Sequence, residues 1–414
     1  MTIEEMARRA REAGRILGTL SGDVRGKAIK AMAEGLEKNR AEILAVNAEE
    51  LRAAESEGLT GPLLQRMKIS DKVLDYMLKR LREAAALPDP LGVISRGHVQ
   101  PNGLKVWRVS VPLGVIGIIY ESRPNVTTDA AAVCLKSGNA VILRGGSETI
   151  RTNTLLANIM REAAVFCGAP ADAVQIIETT DRAAVGELLQ MDRYIDVIIP
   201  RGGKSLIERI SRESRIPVIK HYDGICHQYV AADADIDMAS AVVVNSKCEK
   251  VEVCNSLETL LIDAECAERT LPAIAAALRE QGVELRGDER ARKLVPMEEA
   301  TEEDWTTEYL APILSIRVVD GIDEAINHIN TWGSGHTDGI ITNSLPLSER
   351  FIAGVDSASV LVNASTRLSG GGDYGMGAVV GISTDKLHAR GPVGPEELTS
   401  YKWVAVGTGH LRGS

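Results

Sequence analysis

One apolar strand, set among strands that alternate with helical segments, restricts this chain more than any other feature. Val115 to Tyr120 (VIGIIY) is apolar throughout, the pattern of a strand covered on both faces. Ala140 to Leu143, Val174 to Ile177 and Tyr194 to Ile199 are further strand segments. Loops and helical stretches separate them. Glu121 to Asn125 is a loop before a helix over Asp129 to Ser137, which Gly138 and Asn139 stop. Arg144-Gly145-Gly146-Ser147 precedes a helix from about Glu148 to Cys167, and Pro200 to Ser205 precedes one reaching about Ser214. Strands alternating with helices predict a mostly parallel, doubly wound α/β sheet. The two glycine junctions suit phosphate, because a helix N-terminus presents free N–H groups and a positive dipole end.

The flanking segments read differently. Residues 1 to about 90 are rich in Ala, Glu, Lys and Arg, with Met32 and Leu36 one turn apart, and predict helices. Asn47 with Glu50 has the form of a capping box opening a further helix. Leu87 to Gly92 breaks the pattern, and Gly103 to Val111 (GLKVWRVSV) alternates as a strand does. A second α/β region runs from about Tyr222 to Pro392, with strands expected at Leu257 to Ile262, Pro312 to Val319 and Ala358 to Val362. Thr399 to Val406 reads as a last strand. A chain of 414 residues exceeds what one core usually serves, so two or three domains are expected. Met1 to Leu20 lacks the apolar stretch of a secretory signal, and no apolar window reaches the ~18 residues of a membrane span. A reducing cytoplasm is the expected compartment.

Composition excludes several functions. Six cysteines in 414 residues are too few for a disulfide scaffold, and none is spaced as C-x-x-C. A net charge of −10 argues against a nucleic-acid partner, though not against an anionic small substrate. Gly203-Lys204-Ser205 resembles the end of a P-loop, but the glycine required five positions earlier is Ile198. No G-x-G-x-x-G follows the first buried strand.

A reactive thiol needs an exposed, electropositive setting. Cys134, Cys167 and Cys266 fit packing roles. Cys254, on a loop entering a strand, and Cys248, beside Lys247 and Lys250, both sit among polar residues, and local chemistry does not separate them. His221 and His227 flank Cys226, and His328 and His336 lie near Gly333-Ser334-Gly335, without metal-ligand spacing, so no metal is expected.

Taken together these segments resemble the γ-glutamyl phosphate reductases, a branch of the aldehyde dehydrogenase superfamily. The resemblance rests on Val319 to Ile340, with Ala325-Ile326, His328-Ile329 and Gly333-Ser334-Gly335-His336-Thr337-Asp338. It rests also on Val111 to Gly117, Tyr120 to Val126, Val253 to Thr259, Val362 to Arg367 and Leu387 to Pro392. Trp332 departs from the small or polar residue or Tyr usual at its place.

The resemblance implies an aldehyde-dehydrogenase-like α/β fold. A Rossmann-type cofactor domain would span 1–101 and 112–221, a catalytic α/β domain 222–392, and small oligomerisation strands with a tail 102–111 and 393–414. It implies Cys254 as nucleophile and Asn125 as an oxyanion-hole amide. Arg144, Ser147 and Glu148 would hold the adenosine end of NADPH or NADP, Gly202 and Gly203 its pyrophosphate and nicotinamide side, and Glu308 its nicotinamide ribose. Aldehyde-oxidising relatives carry a general-base Glu where this chain has His221. Without that base a thioester is not set up for hydrolysis, which favours reduction of an acyl phosphate. The implied reaction is NADPH-dependent reduction of L-glutamyl 5-phosphate to L-glutamate 5-semialdehyde through a Cys254 thioester, in proline biosynthesis. Implied partners are this small substrate, other copies of the chain in a homo-oligomer, and glutamate 5-kinase as a channelling donor, with no nucleic acid and no membrane. Arg123, Lys204, Lys247, Arg367 and Arg390 are the cations available to the substrate's anions, with Arg123 favoured by its place two residues from Asn125. An NAD-dependent aldehyde oxidase and a non-catalytic nucleotide-binding protein of the same fold are the alternatives.

Overall fold

The computed structural model describes residues 1–412, so the last two residues of the expected tail lie outside it. The chain divides into two units. One comprises Met1–Lys220, Gly375–Gly381 and the segment from Pro392 onward; the other comprises His221–Tyr374 and Ile382–Gly391. Among the described residues no helix is long and apolar enough to cross a membrane.

The first unit begins with helices Ile3–Leu17, Gly22–Lys38, Arg40–Ser56, Pro62–Met67 and Asp71–Ala86. Each long one starts where its sequence supplies a cap or an acid. Ser21 Oγ accepts from Val24 N–H, and Ser70 Oγ accepts from Val73 N–H. The Asn47–Glu50 pair does not open a helix. Both lie inside Arg40–Ser56, buried, and their polar atoms serve other segments. Asn47 donates to the Met67 carbonyl and accepts from Ile69 N–H, while Glu50 accepts from the backbone N–H groups of Arg151 and Thr152. A capping motif was legible, but the helix it caps is another one.

Strands β1 (Ile94–Val99) and β2 (Lys105–Pro112) form an antiparallel sheet with the C-terminal strand Thr399–Val406, and β2 is central. β1 has no apolar alternation and is exposed at all six positions, which is why it escapes a reading by pattern. Next come β3 (Val115–Tyr120), β4 (Ala140–Arg144), β5 (Val174–Ile176) and β6 (Val197–Arg201), parallel in the order β5-β4-β3-β6. The chain steps from β3 to β4 to β5 in one direction, then returns to place β6 on the other side of β3. Ligands of such sheets settle beyond the carboxyl ends of the strands at this switch point. The helix after β3 runs Asn125–Lys136, four residues ahead of expectation, because Pro124 already holds helical angles (φ −56°). It ends at Gly138, φ +72°, where a Cβ would meet Arg25, Leu91 and Pro112.

The second unit is a seven-stranded parallel sheet. Its strands are β7 (Cys226–Val230), β8 (Leu257–Asp263), β9 (Glu284–Gly287), β10 (Glu298–Glu299), β11 (Ile313–Val319), β12 (Thr337–Ile341) and β13 (Ser359–Val362), in the order β10-β9-β11-β8-β7-β12-β13. β8 shows how one strand serves two cores. Leu260 and Ile262 pack with Leu271, Ile274 and Leu278 of one helix, while Leu261 joins Ala325, Ile329 and Phe351 on the opposite face. Alternation with period 2 sends successive apolar side chains to opposite sides, each burial worth roughly 1.5–3 kcal/mol.

Candidate active site

In the first unit the expected cofactor residues all stand at the carboxyl ends of parallel strands. Arg144 ends β4, Ser147 and Glu148 form the short turn before helix Ile150–Phe166, and Gly202-Gly203 lies between β6 and helix Lys204–Glu213. That last helix starts without a capping side chain, and the Leu206 N–H of its first turn donates to the Gly203 carbonyl at 3.0 Å. Gly203 N–H itself donates to Glu121 Oε2 at 3.0 Å, which ties the β3 and β6 loops together across the switch point. A Cβ at Gly202 would strike the Glu121 carboxyl, whereas at Gly203 it would enter open space. Arg144 has a buried Nε with no partner. Burial, then the charges of Arg182 and Arg209, push its guanidinium below its usual value against the pull of Glu148. Glu148 is committed locally: Ser122 and Ser147 hydroxyls donate to it. Burial opposes its ionisation, but those bonds and a backbone N–H hold its carboxyl below the usual range. The loop set therefore fits a dinucleotide: a helix N-terminus for pyrophosphate and a cationic cluster at the end of β4.

Asn125 is the first residue of its helix, half-buried, and Arg123 is exposed just before it. The Asn125 side-chain amide donates to Asp129, whose carboxyl burial pushes up to about 6. An amide has two N–H donors, so one remains for another acceptor.

In the second unit Cys254 occupies the turn before β8, at the amino end of the sheet rather than the carboxyl end. The segment entering β7 and the residues entering β12 converge on it. One ring nitrogen each of His221 and His336 and the Cys254 sulfur lie within 4.8 Å of one another. His221 Nδ1 faces the Ile382 carbonyl at 3.1 Å. His336 is buried, burial pushes its pKa down to about 4, and its Nδ1 contacts Thr337 Oγ1 at 2.8 Å, so at neutral pH it is an uncharged imidazole. Beneath Cys254, the Cys226 thiol donates to the Cys254 carbonyl at 3.2 Å. Burial and surrounding negative groups push that thiol's pKa well up, which disfavours its thiolate. Gly224 packs so closely that a Cβ there would overlap the Cys254 carbonyl, and its N–H donates to Glu308 Oε1 at 3.0 Å. Asn255 fixes the other side of the turn through bonds to the Arg367 and Ser369 carbonyls and from the Arg367 guanidinium.

The segment Gly333 to Asp338 acquires a physical role here. Ser334 Oγ accepts from Ile225 N–H at 2.9 Å, and Asp338 Oδ1 accepts from His227 N–H at 2.8 Å and meets His227 Nδ1 at 2.9 Å. These bonds set the strand-entry segment on which the Cys254 loop rests. His336, which the sequence offers only as a histidine near Gly333-Ser334-Gly335, and Gly224, which it does not mark at all, reach Cys254 because the sheet brings them there.

The structure also separates the two thiols. Lys247 is fully buried and paired with Glu258 at 2.6 Å, so its charge is shared with that carboxylate. Burial raises the Glu258 carboxyl and lowers the Lys247 ammonium, and the attraction between them opposes both shifts. Burial likewise pushes the Cys248 thiol up, against the opposing pull of Lys247. Three of the cations considered for substrate already have acidic partners: Lys247 with Glu258, Arg367 with Glu249 and Arg390 with Asp356.

Comparison with known proteins gives consistent findings. The model of the aldehyde dehydrogenase family matches residues 1–303 and 298–378. The chain is similar to the γ-glutamyl phosphate reductase of Thermotoga maritima, at 42% identity over 100% of both chains with a TM-score of 0.97. It is similar to that of Saccharomyces cerevisiae at 31% identity, covering 100% of this chain and 99% of that one, with a TM-score of 0.56. An acetylating aldehyde dehydrogenase from Geobacillus thermoglucosidasius shares the fold at 21% identity, 100% and 98% coverage, and a TM-score of 0.71.

Proposed function

The chain belongs to the aldehyde dehydrogenase family, and on that premise we propose that it reduces L-glutamyl 5-phosphate to L-glutamate 5-semialdehyde and phosphate, with NADPH as reductant, in proline biosynthesis. The observation that carries this reading is the neighbour Cys254 has. An imidazole, His221, stands beside the sulfur, and in this reading it takes the place of the glutamate base that the resemblance assigns to aldehyde-oxidising relatives. Full-length similarity to proteins named γ-glutamyl phosphate reductase supports the substrate.

In this mechanism Cys254 Sγ attacks the acyl carbon. Cys254 attacks as its thiolate, the thiol proton having passed to solvent, while the His221 ring is oriented by the Ile382 carbonyl at 3.1 Å. Phosphate leaves with its bonding electrons and a thioester remains on Cys254. NADPH, when bound, supplies the reducing equivalents that convert the thioester to aldehyde. The Cys254 sulfur then departs as thiolate, ready for the next turnover. Asn125 and the Cys254 backbone N–H donate to the oxyanion, and loss of one such donor costs ~10²–10³ in turnover. Arg144, Ser147, Glu148, Gly202, Gly203 and Glu308 hold the cofactor, with Arg144 and its arginine neighbours meeting the 2′-phosphate that distinguishes NADPH. Arg123 binds an anionic group of the substrate.

The antiparallel sheet of β1, β2 and Thr399–Val406 supports a homo-oligomer. It has two edges, and Tyr401, Trp403 and Val406 are exposed on one of them. The six free cysteines suit a reducing cytoplasm, and a labile acyl phosphate favours direct transfer from glutamate 5-kinase.

The test is the reverse reaction. Enzyme, glutamate semialdehyde and NADP should form NADPH only when phosphate is present, and Cys254→Ser should abolish turnover while NADPH still binds. Cofactor reduction independent of phosphate overturns the acyl-phosphate reading.

A further inference from the structure

The grouping of His221, Cys254 and His336 has a property that reduction of an acyl phosphate does not require. It offers two imidazole nitrogens and one sulfur within 4.8 Å of one another, on three segments that the sheet holds in place. A tetrahedral zinc ion with Zn–N of ~2.0–2.1 Å and Zn–S of ~2.3 Å sets its ligand atoms roughly 3.3–3.5 Å apart, so modest side-chain rotations close the gap. The ring nitrogens are already sorted for the task. His336 Nε2 is buried and has no hydrogen-bond partner, while its Nδ1 contacts Thr337 Oγ1. His221 Nδ1 is directed at the Ile382 carbonyl, which orients the ring as outer-shell carbonyls do for metal-bound histidines. The His221 and His336 rings meet edge to face with centroids 5.5 Å apart, so both can present an edge toward the sulfur without stacking.

We propose that His221, His336 and Cys254 form an inhibitory site for a borderline-soft divalent cation, Zn²⁺ above all, with water as fourth ligand. Thiolate and imidazole donors select zinc over the hard cations magnesium and calcium. Binding forms a Zn–S bond and two Zn–N bonds, and the thiol proton passes to solvent. No electrons are transferred, and a chelator reverses the reaction. The same sulfur cannot then attack an acyl carbon, so the ion stops turnover by occupying the nucleophile.

The experiment uses the full-length, fully reduced protein. Co²⁺ replaces Zn²⁺ as a spectroscopic probe, without substrate or cofactor. One equivalent should produce a sulfur-to-cobalt charge-transfer band in the near ultraviolet, which Zn²⁺ displaces. Cys254→Ser should lose that band, and His221→Gln should weaken Zn²⁺ binding by more than the ~10–100-fold typical of outer-shell changes. His221 is half-buried, so its variant tests the site even if substitution of buried His336 prevents folding. In turnover assays Zn²⁺ should inhibit and a chelator restore activity. Only this inhibition arm rests on the reductase reading; the absorption band is independent of it, so the two can fail separately. Absence of the band, or equal Zn²⁺ affinity in wild type, Cys254→Ser and His221→Gln, overturns the proposal.

Discussion

Removing the Glu50 carboxylate should destabilise a helix that Glu50 does not belong to. Helix Ile150–Phe166 has no capping side chain of its own at Thr149. Glu50, 7% exposed, serves in its place: Oε1 accepts from Arg151 N–H at 2.7 Å, and Oε2 accepts from Thr152 N–H at 3.0 Å and from the Thr152 hydroxyl. Glu50→Ala leaves two amides short of partners, each costing ~1–3 kcal/mol when buried. It also removes a negative charge from a helix N-terminus, worth ~0.3–2 kcal/mol. Allowing for overlap between these effects, the total comes to ~3–5 kcal/mol. Glu50→Gln keeps one acceptor oxygen and should cost ~1–3 kcal/mol. Urea unfolding followed by circular dichroism reads the global effect, and native-state hydrogen exchange at Arg151 and Thr152 reads the local one. Because this helix follows directly on Ser147 and Glu148, the Gln variant should raise KM for NADPH while kcat changes little. A Glu50→Ala protein that loses less than ~1 kcal/mol, with unchanged protection of those two amides, would refute capping from a distance.

Other sites give equally direct tests. Lys247→Met leaves Glu258 buried without its partner and should cost ~3–5 kcal/mol, while Lys247→Met with Glu258→Leu should recover most of that loss in the same unfolding assay. Gly224→Ala drives a methyl into the Cys254 carbonyl, so turnover should fall at least tenfold with the far-ultraviolet spectrum unchanged. Burial, with the charges of His227 and Arg317, pushes His328 down to about 3. The unfolded chain therefore takes up this proton below about pH 6.5 while the folded chain does not, and stability is lost as pH falls through that window. Between pH 7.5 and 4.5 the wild type should lose ~2–3 kcal/mol more than His328→Asn in urea titrations.

The sequence made the parallel strands legible for a physical reason. A strand buried on both faces, such as β3, must be apolar at every position, and that pattern survives without knowledge of its neighbours. β1 lacked any such mark, since its six residues are exposed and are ordered by pairing with β2 alone. The glycine loops after β4 and β6 could be placed because strand, glycine and helix follow one another along the chain, while their cofactor role rests on the resemblance. The setting of Cys254 could not, because it stands at the amino ends of strands and its neighbours arrive from β7 and β12. Lys247 shows the same limit. Beside Cys248 in sequence it looks like an activating charge, yet its ammonium is spent on Glu258, eleven residues away.

The pairing of β2 with Thr399–Val406 also orders events during synthesis. Asn139 donates from its side chain to the Leu398 carbonyl, 259 residues later, and accepts from Gly114 N–H; Leu113 N–H donates to the same Leu398 carbonyl. While the ribosome is still making the second unit, these groups wait for a partner not yet translated, and one edge of β2 stands open. That open edge is the place where the nascent first unit can pair with another strand until Thr399–Val406 closes the sheet.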